Sequence, residues 1–122
     1  VATAILQGVS VIAGELRPKL VAIWTETGQA VAMLSKYRLD FPIVALTASE
    51  RCYRQLSLCY GVIPLLHRRC EGFARMVADL DRVLIDSGLA EENDRIVIAD
   101  DAHPDVPGET DAVYIHSLGR AS

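Results

Sequence analysis

No run of apolar residues in this 122-residue chain approaches the ~20 needed to cross a bilayer as a helix. The apolar start, VATAILQGVSVIAG, has no basic segment before it and is interrupted by Thr3, Gln7, Gly8 and Ser10. It reads as an amphipathic helix and not as a secretory leader, so no membrane partner is expected. Cysteine is scarce: only Cys52, Cys59 and Cys70, with no CxxC among them. An odd count in a chain able to bury a core argues for free thiols in a reducing compartment, and the expected location is cytoplasmic. His67 and Cys70 would need two further ligands to hold a metal, so no metal site is expected. Basic residues are outnumbered, 12 Lys and Arg against 16 Asp and Glu, and they form no stripe. That speaks against a nucleic-acid partner. There is no G-x-G-x-x-G and no Walker A sequence, which disfavours a dinucleotide-binding or NTPase module. None of His67, His103 and His116 has a Ser or Cys partner at triad spacing in a nucleophile elbow, so an enzyme with its own site ranks last. No internal repeat, low-complexity segment or linker divides the chain, and a single domain over 1–122 is expected. The missing initiator Met leads us to expect a fragment of a larger chain.

What is present is the composition of an ordinary globular domain, 51% hydrophobic and 23% charged. Ala2, Ile5, Leu6, Val9, Ile12 and Ala13 recur at helical spacing and predict a helix over 1–15. Apolar runs predict strands at 20–24, 43–47, 62–66, 95–99 and 112–118. Pro64 confines the third of these to a sheet edge. Amphipathic segments predict helices over 28–38, from Ser49 to about Leu58, and over 71–87, where Phe73, Met76, Val77, Leu80, Val83 and Leu84 share one face. Gly88 stops the last helix. Strands alternating with helices imply a mostly parallel, doubly wound sheet covered on both faces. The final connection has no helix, so the fifth strand is expected as an antiparallel edge beside the fourth.

The densest signal lies between the first two strands. Trp24 is followed by Thr25, Glu26, Thr27 and Gly28, and then by a helix. A helix start carries unpaired N–H groups and the positive end of the dipole. Thr25 and Thr27 add hydroxyls, and Gly28 permits close approach to the backbone, so the loop is a candidate phosphate or carboxylate site. A helix cap without a ligand fits the same residues. Other groups read more plainly. Asp100 and Asp101 are expected as solvated loop carboxylates, and His67, Arg68 and Arg69 as a solvated loop or an anion or interface tract. Cys52 and Cys59 are expected as core thiols on one helical face, and Trp24 as core. His116 and Tyr114 fall on the edge strand, which invites pairing with a second subunit.

In order and spacing, four segments resemble the C-terminal domain of pyruvate kinase: TETGQA at 25–30, LSKYR at 34–38, PIVALT at 42–47 and RQLSLCYGVIPLL at 54–66. GLAEENDRIVIA and PDVPGETDAVYIHSLG continue the likeness to the end of the chain. The resemblance implies a three-layer α/β/α sandwich on a mostly parallel five-stranded sheet, its last strand antiparallel. It implies a regulatory and subunit-interface domain without catalytic residues or a cofactor of its own. The Mg and K ions and the phosphoryl transfer would belong to a separate catalytic barrel domain of the parent chain. It also implies an effector loop at Thr25, Glu26, Thr27, Gly28, Gln29 and Ala30, with Gly108 in a second glycine loop, a phosphorylated small-molecule effector, and a homo-oligomer. Ala30 stands where a hydroxyl is common, and Gln29 where Arg or Lys is frequent. Asp100, Asp101, Asp105 and Glu109 add repulsion, so a monophosphate, a nucleotide or no effector is expected in preference to a sugar bisphosphate. The alternative is a free-standing anion-binding module of the same fold.

Overall fold

Two five-residue runs, LVAIW and IVALT, hold a single polar residue between them, the terminal Thr47, and both form strands buried along their whole length: β1 (Leu20–Trp24) and β2 (Ile43–Thr47). The computed structural model describes residues 8, 11, 12, 14–25, 27–37, 40–68, 72–100 and 112–119. In chain order the further elements are α1 (Gln29–Ser35), α2 (Glu50–Leu56), β3 (Val62–Leu66), α3 (Phe73–Asp86), β4 (Arg95–Asp100) and β5 (Ala112–Ser117). The sheet has five strands in the order β3-β2-β1-β4-β5. Val21 lies opposite Ile43 on one side and Val97 on the other, both in parallel register. β4 and β5 are antiparallel, with Val97 opposite Ile115. Pro64 sits in β3, an outer strand, where its missing N–H interrupts no ladder between two neighbours.

Each sheet face has its own core. Val31 and Leu34 of α1 and Cys52 and Leu56 of α2 pack on Val21, Ile23, Ile43 and Ala45. Met76, Leu80 and Leu84 of α3 recur every four residues and pack on the opposite face against Leu20, Ala22, Val44 and Ile96. All three α3 side chains are fully buried, which stabilises the docked helix by about 2 kcal/mol each. The result is the expected three-layer α/β/α sandwich. α3 ends in a Schellman turn: Gly88 N–H donates to Ile85 O at 3.1 Å and Leu89 N–H to Leu84 O at 3.1 Å, with Gly88 at φ +78°.

Two helices stop earlier than their sequence pattern predicts. α1 closes at Ser35 because Lys36 and Tyr37 turn their N–H groups to the carbonyls of Met33 and Leu34, three residues back, and Ser35 Oγ donates to Tyr60 O at 2.7 Å. α2 closes at Leu56 in the same way, Cys59 N–H donating to Leu56 O at 3.0 Å. Cys52 and Cys59 therefore do not share a helical face; Cys59 reaches the same core from the turn, half-buried. Of the helix expected over 1–15, positions 8, 11, 12 and 14–15 are helical, as is 16 beyond it. Ala2, Ile5, Leu6, Val9 and Ala13 lie outside the described residues, as do Arg69, Cys70, Asp101, His103, Asp105, Gly108 and Glu109.

Candidate functional site

β1 and β2 are neighbours, and both point their carboxyl ends the same way, so the turns that follow them lie side by side. In the first turn Thr25 is buried and its N–H donates to Leu46 O at 2.9 Å, which extends the pairing with β2. Thr25 Oγ1 accepts from Gly28 N–H at 2.8 Å, and Thr27 Oγ1 accepts from Gln29 N–H at 3.3 Å. Both hydroxyl oxygens thus hold the loop's own amides. Gly28 has φ +79°, which L residues avoid. A Cβ there would lie 3.1 Å from Cys52 Sγ and 3.2 Å from Leu56 Cδ2, so the glycine lets α2 pack against the turn. Glu26, the side chain of Ala30 and Gly108 lie outside the described residues.

The second turn repeats the chemistry of the first. Thr47 is buried and its Oγ1 accepts from Ser49 N–H at 3.1 Å; Ser49 Oγ accepts from Cys52 N–H at 3.2 Å and caps α2. Between the turns opens a hollow of about 240 Å³, lined by Thr27, Ser49, Arg51, Cys52 and Gln55. Of the described residues expected to form a site, only Thr27 lines it. Ser49, recognised in the sequence only as a cap, and Arg51 and Gln55 were missed. The signal was a repeated pattern: Thr25-x-Thr27 after the first strand and Thr47-x-Ser49 after the second. Among the described residues no carboxylate lines the hollow and Arg51 makes no ion pair. Its walls offer a guanidinium, hydroxyls and an amide, a set that can hold an oxyanion. Among the described residues they include no histidine or carboxylate.

The opposite face is tied down by two His–Asp contacts. Asp79 and Asp81 flank the inward Leu80, so they leave α3 on opposite sides. Asp79, buried, takes Nε2 of His67 on one oxygen and the Arg82 guanidinium on the other. His67 also stacks obliquely near Trp24, with ring centroids 5.7 Å apart. The expected solvated loop at His67 is therefore corrected: the strand end brings the ring to α3. Asp81, buried, holds Nε2 of His116 on β5 at 2.9 Å and 3.1 Å. Among the described residues no group of three His, Cys, Asp or Glu could hold a metal ion, and no helix is long and apolar enough to cross a membrane.

A family model described as "Pyruvate kinase, alpha/beta domain" matches residues 3–116. The chain is 29% identical over 116 residues to the pyruvate kinase of Sporosarcina psychrophila, covering 95% of this chain and 20% of that protein. It is 30% identical over 120 residues to that of Lactobacillus delbrueckii subsp. bulgaricus, 98% of this chain and 20% of that protein. Over 100 residues it is 33% identical to that of Thermotoga maritima, 82% of this chain and 21% of that protein. The chain thus spans about a fifth of the length of these curated relatives.

Proposed function

The chain belongs to the family of the pyruvate kinase alpha/beta domain, and from that premise we propose that it is the regulatory and subunit-interface domain of a pyruvate kinase, without catalytic residues of its own. In this reading the parent enzyme transfers a phosphoryl group from phosphoenolpyruvate to ADP in cytoplasmic glycolysis. That chemistry, with its Mg and K ions, belongs to a barrel domain elsewhere in the parent. The domain's own task is to bind a phosphorylated effector at the loop 25–30 and to bias the distant active site.

The observation that carries this reading is the polar hollow against Thr27, lined by no carboxylate among the described residues and placed at the carboxyl ends of two parallel strands. An anion held there touches both the β1–α1 turn and α2. Any change in how α2 packs is then linked to occupancy, and a difference in affinity between two packings is all that allostery requires. Gln29 and Ala30 leave the loop without a cation and with one hydroxyl fewer than the family pattern, which favours a monophosphate over a sugar bisphosphate. The outer strand β5, with Ile115 exposed, offers an open ladder to a second subunit.

The test is a thermal-shift titration with inorganic phosphate, sugar phosphates and AMP, paired with steady-state kinetics of the parent enzyme. A ligand at about 100 times its Kd stabilises the native state by about 2.7 kcal/mol. The shift and the kinetic response should both vanish in Thr27→Leu. A parent enzyme whose response to anions is unchanged by Thr27→Leu refutes the loop, and light scattering that finds only monomer at high concentration refutes the interface role.

A further inference from the structure

We draw no further inference here: the strongest candidate, the exposed apolar patch of Tyr37, Leu58 and Tyr60 where the end of α1 meets the turn between α2 and β3, carries nothing because nothing in the structure shows what covers it.

Discussion

Replacing Gly28 with alanine perturbs the turn between β1 and α1, against which α2 packs, and its cost can be separated into parts. The first part is backbone. At φ +79° a residue with a Cβ loses about 1–2 kcal/mol relative to glycine. The second is packing. The new methyl meets Cys52 Sγ at 3.1 Å and Leu56 Cδ2 and Cγ at 3.2 Å and 3.4 Å, and both side chains are buried. Overpacking of this kind costs about 1–3 kcal/mol, so Gly28→Ala should destabilise by about 2–5 kcal/mol in all. Gly61 supplies the control. It has φ +69° with nothing within 4 Å of its Cβ position, so Gly61→Ala should show the backbone part alone. Urea unfolding followed by circular dichroism measures both variants, with the slope m checked for constancy. A third variant closes the cycle: in a Cys52→Ala background the cost of Gly28→Ala should fall by about 1 kcal/mol, because the sulfur it meets is gone. Equal destabilisation by Gly28→Ala and Gly61→Ala, with no coupling to Cys52, would refute the claim that the glycine serves helix packing.

Two further outcomes are expected from the opposite face. Leu80→Ala leaves a cavity under the middle of α3, where Leu80 is fully buried, and should cost about 2–5 kcal/mol in the same urea assay; a loss below ~1 kcal/mol would mean that α3 is not docked as described. Asp81→Ala removes the acceptor of His116 Nε2 and should cost about 1–2 kcal/mol. The loss should shrink when His116→Ala is already present, and additive single losses would show that the β5–α3 contact contributes nothing.

Much of the architecture was legible in the chain because it rests on local chemistry. A short continuous apolar run such as LVAIW, bounded by turn residues, reads as a strand buried on both faces, and Pro64 fits where no second neighbour needs its N–H. Met76, Leu80 and Leu84 mark the inward face of α3 by spacing alone. The Thr25–Gly28 turn was legible for the same reason, since its hydrogen bonds join residues two and three positions apart. Helix ends were less legible: at Ser35 and Leu56 the backbone tightens to bonds three residues back although the side-chain pattern runs on.

What the sequence alone determined, then, was each element and each turn. What the tertiary structure decided was which turns meet. Thr27 and Arg51 share a hollow because β1 and β2 pair in parallel, which sets their carboxyl-end turns side by side. His67 reaches Asp79 from twelve residues away, and His116 reaches Asp81 from thirty-five, because α3 crosses the sheet and sends adjacent carboxylates toward opposite edges. No periodicity encodes such meetings. They follow from strand order, and strand order is set by how the two faces bury their apolar surface together.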